Sequence, residues 1–184
     1  SEMCIRDRYV RRIVGSDEFI NGIERWCFWI TDDKADAALE IPIIKERAAL
    51  VRDLRLGKLD KSAQRLAAYP YRFREMHETT TNSLVIPSVS SENREYVPVG
   101  FIDKKTVVTN LAFVIYDCDP WIFGVVSSKM HNLWIKAVCG GLETRIRYSS
   151  ELGYNTFPFP VITDEQKKDI RNCVNQVIAA REEE

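Results

Sequence analysis

Long apolar runs and the usual enzyme motifs are both missing from this chain. No stretch of its 184 residues approaches the roughly 20 consecutive apolar residues that a membrane-spanning helix needs. The sequence has no phosphate-binding P-loop, no PD-ExK nuclease pattern, and neither the Gly-rich turn after a strand that binds S-adenosylmethionine nor the Asn-Pro-Pro-Tyr motif that holds a flipped base. We therefore expect no membrane partner, no cofactor within these residues and no catalysis by this chain alone.

Cysteine and histidine are too few and too scattered to build a metal site. The five cysteines form no Cys-x-x-Cys pair, and neither of the two histidines lies close enough to complete a zinc-binding set. We expect buried, reduced thiols and a cytoplasmic protein. The cysteines are Cys4, Cys27, Cys118, Cys139 and Cys173.

The net charge of −1 hides an uneven distribution of charge along the chain. The segment from Lys45 to Arg74 contains nine Lys or Arg residues and only three acidic residues. Acidic residues collect instead between Asp32 and Glu40 and at the C-terminus. This asymmetry fits one anion-binding face on a neutral body, and it fits an ordinary solvated helix face equally well.

Turn and periodicity signals outline the first half of the chain. Gly15–Glu18 is typical of a turn or helix cap, Asn21-Gly22 of a tight turn, and Arg25–Ile30 of a mostly buried strand. The spacing predicts a helix over Pro42–Leu56 that stops at Gly57, and a shorter helix over Lys61–Ala68.

The Pro42–Leu56 helix is predicted to bury aliphatic residues on one side and to present cations on the other. Ile43, Leu50 and Leu54 share the predicted buried side. Lys45, Arg52 and Arg55 lie on or beside the opposite side, where they would contact phosphate if the helix lies against nucleic acid.

The middle of the chain is rich in predicted strands. Leu84–Pro87 has the pattern of an edge strand because proline cannot donate to a sheet ladder, and Thr106–Ile115 predicts another strand. The polar loop between them can hydrogen-bond phosphates or base edges, although a polar loop with an internal Glu92–Arg94 pair is the commoner structure. The polar residues in question are Ser90, Ser91, Asn93 and Arg94, with Lys104, Lys105 and Asn110 on the turn and strand that follow.

The C-terminal third alternates helical and extended signals. Ser127 or Ser128 is expected to cap a helix. Lys129 and His131, which follow, are predicted to contact either the helix cap or a phosphate. No nucleophile motif supports His131 as a catalytic base. Arg145 and Arg147 share one face if the segment up to Tyr148 is extended. Phe157–Pro160 predicts an apolar packing segment, and Asp164–Arg181 predicts a helix that buries Ile170, Val174, Val177 and Ile178.

Three segments, in order, carry a resemblance to one family. GSDEFINGIERWCFWI departs from the family pattern only at Phe28, VSSENREYVPVGF follows it closely, and GGLETRIRYSSELGYNTFPFP departs at Leu142-Glu143, where Arg-Leu-Lys is commoner. The chain thereby resembles the C-terminal part of the MmeI-like DNA methyltransferases, which carry restriction, methylation and target recognition on one polypeptide.

The resemblance implies an α+β fold, with a small sheet-containing target recognition domain over residues 9–120 and a helical C-terminal domain over residues 121–184. Residues 1–8 are predicted to be a non-native leader, and the chain to be part of a longer gene product. The implied partners are double-stranded DNA and an upstream methyltransferase domain of the same polypeptide, whose cofactor would be S-adenosylmethionine and whose target would be adenine N6.

Sixteen residues are predicted to contact DNA, and none is predicted to be catalytic or to bind a metal. They are Lys45, Arg52, Arg55, Ser90, Ser91, Asn93, Arg94, Lys104, Lys105, Asn110, Ser128, Lys129, His131, Arg145, Arg147 and Tyr148. Two other functions stay open: a scaffold that binds proteins through exposed aromatic clusters, and a nuclease whose carboxylates would come from Asp17, Glu18, Glu92 and Asp103.

Overall fold

The computed structural model describes Ile5 and residues 8–109, 111–142 and 145–183. Its helices are α1 (Ser16–Asn21), α2 (Ala35–Leu39), α3 (Pro42–Leu56), α4 (Lys61–Arg65), α5 (Pro120–Val126), α6 (Lys129–Val138) and α7 (Asp164–Glu182). Its strands are β1 (Val10–Val14), β2 (Trp26–Phe28), β3 (Ser83–Pro87), β4 (Val89–Ser90), β5 (Gly100–Ile102), β6 (Val107–Val108), β7 (Ala112–Ile115), β8 (Gly141–Leu142) and β9 (Arg145–Arg147). This mixture of helices and small sheets confirms the α+β class.

Backbone contacts divide the chain into two compact units. Unit 1 comprises Ser1–Arg12 and Arg25–Glu78, and unit 2 comprises Ile13–Glu24 and Thr79–Glu184. The predicted division into a recognition domain over residues 9–120 and a helical C-terminal domain over residues 121–184 stays a prediction, as does the leader over residues 1–8. In the described part of the chain, no helix has the length and apolar character needed to cross a membrane.

Unit 1 consists of helices packed beside a short antiparallel ladder. The first residues of β1 pair with β2, with Val10 opposite Phe28 and Arg12 opposite Trp26. The core gathers Tyr9, Ile30, Ala35, Ala38 and Ile44, and Ile5 packs against it.

Helix α3 has the predicted bounds, but the prediction of its buried face was wrong. Ile43, Leu50 and Leu54 are 60%, 52% and 68% exposed, whereas Ile44 and Ala48 are buried. The same face continues through the half-buried residues Val51 and Arg55, at helical spacing. Arg55 belongs to this face because its guanidinium, which is half-buried, donates to backbone carbonyls.

Unit 2 is organised around β3, which is a central strand and not the predicted edge strand. β3 pairs antiparallel with β5 on one side and with β7 on the other, and all five of its residues are buried. Pro87 is compatible with this position because it is the last residue of the strand, where its missing N–H interrupts no interior pairing.

The predicted strand over Thr106–Ile115 is divided between two ladders. β6 pairs parallel with the end of β1, with Ile13 opposite Val107, whereas β7 pairs with β3. The N–H of Ala112 donates to the carbonyl of Thr109, which turns the chain from one ladder to the other. A third ladder has the order β4-β9-β8.

Helices α5, α6 and α7 complete the core of unit 2. Phe123 of α5 is 1% exposed and stacks on Phe101 at a centroid distance of 5.4 Å. Helix α7 buries Val174 and packs Ile170 and Ile178 against the same core, as predicted, but Val177 is 43% exposed and lies outside the buried stripe.

Asp119 joins α5 to α7 by two sets of bonds. Its carboxylate accepts the N-cap bond from Trp121 N and a bidentate pair from Arg171, at 2.9 and 2.6 Å. These hydrogen bonds, chiefly from Arg171, hold the pKa of Asp119 below its usual range. We predict that Asp119→Ala lowers the free energy of unfolding by about 1–2 kcal/mol in urea titrations.

Asp164→Ala is the matched control for this prediction. Its carboxylate also pairs with a cation, Lys167, at 3.1 Å, but is fully exposed. An exposed pair adds little stability, so the control should unfold close to the wild-type midpoint. Equal destabilisation by both variants would contradict the structural role assigned to Asp119.

Candidate nucleic-acid interface

In unit 1, two of the three predicted phosphate contacts are available on the surface of α3. Lys45 and Arg52 are exposed, and Arg52 lies 3.6 Å from the carboxylate of its neighbour Asp53. Arg55 differs because it donates to the carbonyls of Leu66, Tyr69 and Arg72 at 2.7–2.9 Å. The guanidinium of Arg55 thereby holds the segment after α4 in place, and its predicted contact with phosphate stays a prediction.

In unit 2, the polar loop after β4 forms a compact turn. Ser91 Oγ accepts from Asn93 N at 3.2 Å, and Arg94 N donates to the Ser91 carbonyl at 3.3 Å. These bonds occupy backbone groups and the serine hydroxyl but leave the guanidinium of Arg94 exposed. Within the described residues, that guanidinium has no hydrogen-bond or ion-pair partner.

The start of α6 fixes the far end of this loop. Asn132, which is 4% exposed, donates from Nδ2 to the carbonyls of Arg94 and Glu95. Lys129 Nζ lies 2.6 Å from the Glu95 carboxylate and keeps the pKa of that carboxyl below its usual range. The positive charge of Lys129 is therefore paired, while the backbone that carries Arg94 is held from both sides.

Strand β9 lies beside the start of the same loop. Val89 is opposite Arg147 and Ser90 is opposite Ile146 in the β4–β9 ladder. Arg145 and Arg147 are both exposed and, two residues apart in a strand, point to the same side. We call Ser91, Asn93, Arg94, Arg145 and Arg147 the β4–β9 cluster.

The remaining predicted cations of unit 2 lie on a separate turn. The Asp103 carboxylate accepts from Lys105 N at 2.9 Å and from Thr106 Oγ1 at 2.8 Å, which shapes the turn after β5. The side chains of Lys104 and Lys105 are exposed there. Asn110 lies outside the described residues.

Ser128 caps a helix, and His131 and Tyr148 are buried in the interior of unit 2. Ser128 Oγ caps α6 by accepting from His131 N at 3.1 Å. The His131 and Tyr148 side chains are 0% and 4% exposed, with His131 Nε2 lying 3.1 Å from the Tyr148 hydroxyl. This burial corrects the predicted DNA contacts at His131 and Tyr148, because neither side chain reaches the surface.

Burial also sets the protonation of this pair. It lowers the pKa of His131 to about 4 and raises the pKa of Tyr148 above its usual range. The second ring nitrogen, His131 Nδ1, is buried with no hydrogen-bond partner in the part of the chain that the structure describes. Protonation would add a charge and a donor with no acceptor, so the imidazole is neutral at pH 7.

Two of the four carboxylates considered for a nuclease form local hydrogen bonds with the backbone. Glu18 is buried and accepts from Gly15 N at 2.8 Å, and Asp103 shapes its own turn. Over residues 8–109, 111–142 and 145–183, no group of three or more His, Cys, Asp or Glu side chains is placed to hold a metal ion.

The role of Asn132 was missed by the sequence analysis. Its partners are backbone carbonyls 37 and 38 residues away, so no local spacing indicates the contact. The one available signal is a buried amide on an amphipathic helix, which requires hydrogen-bond partners.

Comparison with known proteins assigns this architecture to a class, the DNA target recognition domains. The family model described as "MmeI, target recognition domain" matches residues 2–161. The chain belongs to this family, which confirms the resemblance found in its sequence motifs.

Two relatives give the scale of the similarity. DNA methyltransferase A of Bacillus subtilis (strain 168) is 42% identical over 176 residues, covering 96% of this chain and 20% of the relative. The solved structure of the Type IIL restriction-modification enzyme MmeI in complex with DNA matches with a TM-score of 0.90 and 36% identity, covering 100% of this chain and 25% of that one. The chain thus spans a fifth to a quarter of the length of these relatives.

Proposed function

We propose that this chain selects the DNA sequence on which a methyltransferase acts, and that it does not catalyse methyl transfer by itself. The observation that carries the proposal is its membership of the MmeI target recognition domain family. The β4–β9 cluster supports it, since this cluster combines exposed guanidinium groups with hydrogen-bonding side chains on a fixed backbone.

Base reading is proposed for the loop after β4. Arg94 is suited to a bidentate contact with a guanine edge, and Asn93 to a contact with adenine. Ser90 and Ser91 are proposed to assist at base edges or phosphates. The two-sided attachment of the loop supports this role because a reading side chain needs a defined position.

Phosphate contacts are proposed for exposed cations in each unit. Arg145 and Arg147 flank the reading loop in unit 2, and Lys104, Lys105 and the hydroxyl of Ser128 are further candidates. In unit 1, Lys45 and Arg52 are the candidates. Lys129 is expected to contribute weakly because Glu95 pairs with it, and the contact predicted for Asn110 stays a prediction.

The chemistry is proposed to belong to the rest of the polypeptide. An upstream domain would bind S-adenosylmethionine, flip an adenine and methylate N6, while this chain holds the flanking duplex. The division into a recognition domain up to residue 120 and a helical domain after it belongs to this proposal, as does a location in the cytoplasm with the DNA.

A scaffold role remains a second candidate because of the exposed side of α3. Ile43, Leu50 and Leu54 are more than half exposed, although the aromatic residues Phe123, Tyr148 and Phe157 are buried in the core. A scaffold role predicts that Leu50→Glu abolishes protein binding while DNA binding is unchanged. Target recognition predicts measurable DNA binding by the isolated chain.

A salt titration of duplex binding tests the proposal. Because cations that bind phosphates release counterions, the logarithm of the association constant should fall linearly with the logarithm of salt concentration. A slope near zero, or no binding at low salt, would contradict a DNA-binding function for these residues.

The two arginines of β9 should account for part of that slope. We predict that Arg145→Gln combined with Arg147→Gln weakens binding to all duplexes alike and reduces the slope by about 2, since each phosphate contact contributes about 0.9. The matched control is Arg65→Gln with Lys168→Gln, which removes the same charge from exposed positions in α4 and α7. Equal changes in slope for the two double variants would refute a specific role for β9.

A further inference from the structure

Unit 1 contains a cleft that the proposed function does not use. Its volume is about 380 Å³, which falls in the size range of small-molecule sites. Aromatic residues of β2 and of the segment after α4 line the cleft together with arginines. The residues that matter for its chemistry are Trp26, Phe28, Tyr71, Phe73, Arg47 and Arg72.

The aromatic walls are held in defined positions. The Tyr71 hydroxyl donates to Asp32 at 2.8 Å, and Arg72 donates to the second oxygen of the same carboxylate at 2.7 Å. Phe73 stacks on Trp29 with a centroid distance of 5.8 Å and an angle of 28° between the rings. Rigid aromatic faces of this kind bind flat rings at low entropic cost.

The charge of the cleft is positive. None of the described residues that line it is acidic, and three of them are arginines: Arg47, Arg55 and Arg72. Of these three arginines, only Arg72 has a carboxylate partner in the part of the chain that the structure describes, namely Asp32. Burial, and to a smaller extent the nearby charge of Arg74, lowers the pKa of Arg55. Burial also raises the pKa of Cys27 to about 11, so the thiol adds no negative charge at pH 7.

We propose that this cleft binds a nucleoside monophosphate unit, with the base against the aromatic wall and the phosphate at Arg47, whose guanidinium has no ion-pair partner among the described residues. An apolar ligand would leave the excess positive charge unmatched, and an inorganic anion would leave the aromatic faces unused. A nucleotide matches both the positive charge and the aromatic faces, because every base has a face that stacks and a phosphate accepts bidentate guanidinium bonds. The ligand is either a free nucleotide or an unpaired nucleotide of a DNA strand.

The first test titrates the whole chain with dTMP, thymidine and inorganic phosphate by calorimetry. Binding of dTMP should be at least tenfold tighter than binding of either part alone. Arg47→Gln should weaken dTMP binding about tenfold, since it removes an exposed guanidinium at the cleft that has no ion-pair partner among the residues described. Arg65→Gln, an exposed arginine outside the cleft, should leave dTMP binding unchanged.

A second variant tests the aromatic wall. Trp26 is 48% exposed, so Trp26→Leu should preserve folding, as judged by the melting temperature, and should weaken dTMP binding without affecting the binding of phosphate. Absence of dTMP binding, or equal loss in Arg47→Gln and Arg65→Gln, would overturn the proposal.

The source of the nucleotide is resolved by duplexes with and without one unpaired thymidine. Tighter binding of the unpaired form, with the difference lost in Arg47→Gln, supports the proposal and identifies a DNA strand as the source. Binding of dTMP together with equal affinity for the two duplexes supports the proposal with a free nucleotide. Failure of target recognition is distinguishable, because it would abolish duplex binding and leave dTMP binding intact.

Discussion

Replacing Arg94 by alanine is expected to weaken binding to the preferred DNA sequence by about 1–3 kcal/mol, which is about fivefold to 150-fold, and to leave other duplexes little affected. The guanidinium is exposed, while the backbone of Arg94 is held by Asn132 and by the Ser91 carbonyl. Truncation therefore removes a reading group without loosening the loop. Competition binding with the preferred duplex and a scrambled duplex measures the difference.

Arg52→Ala is the comparison for this prediction. It removes the same charge from an exposed position on α3, where only a phosphate contact is proposed. We expect equal weakening on both duplexes and a decrease of about 0.9 in the salt slope. The assignment of reading and phosphate roles fails if the two variants lose affinity equally on preferred and scrambled DNA.

Acidification between about pH 6.5 and pH 4 is expected to lower the stability of unit 2 through His131. Burial lowers the folded-state pKa of His131 to about 4, whereas an unfolded histidine titrates near 6.5. The unfolded state therefore binds more protons in this range, and stability is lost as pH falls through it. The pKa shift of His131 corresponds to a loss of about 3 kcal/mol in the free energy of unfolding. Urea unfolding at successive pH values measures this loss.

Two glutamine variants isolate this effect, since the chain has two histidines. His131→Gln should remove most of the loss of stability between pH 6.5 and pH 4. Its stability at pH 7 should nevertheless be lower than that of the wild type, because the imidazole packs against the Phe157 ring with a centroid distance of 4.5 Å. His77→Gln alters an exposed side chain and should keep the wild-type profile. A wild-type profile in His131→Gln would contradict the assignment.

Local signals in the sequence predicted helix bounds better than helix faces. Pro42 at the first turn and Gly57 after the last turn predicted α3 correctly, because both residues act through their own backbone geometry. The buried face was predicted wrongly because hydrophobicity favoured Ile43, Leu50 and Leu54. The structure instead buries Arg55 partly, and three carbonyls outside α3 accept its donors.

The positions of strands within the sheets were also predicted poorly from local signals in the sequence. Pro87 suggested an edge strand, yet pairing on both sides of β3 depends on β5 and β7, which no local pattern near Pro87 indicates. In the candidate site, the alternation of Arg145 and Arg147 correctly predicted a shared strand face. The pairing of Ser90 with Ile146 and the attachment of the loop by Asn132 join distant residues, so spacing could not predict them. Burial of His131 and Tyr148 likewise depends on packing from several elements.

Selection from a randomised duplex pool by the isolated chain, followed by sequencing of the retained DNA, tests the central claim most directly. We predict enrichment of one short sequence, with Arg94→Ala relaxing the preference at a position within it. Retention of the pool without enrichment would mean that the chain binds phosphates but does not read bases. That result would contradict the assignment of target recognition to these residues.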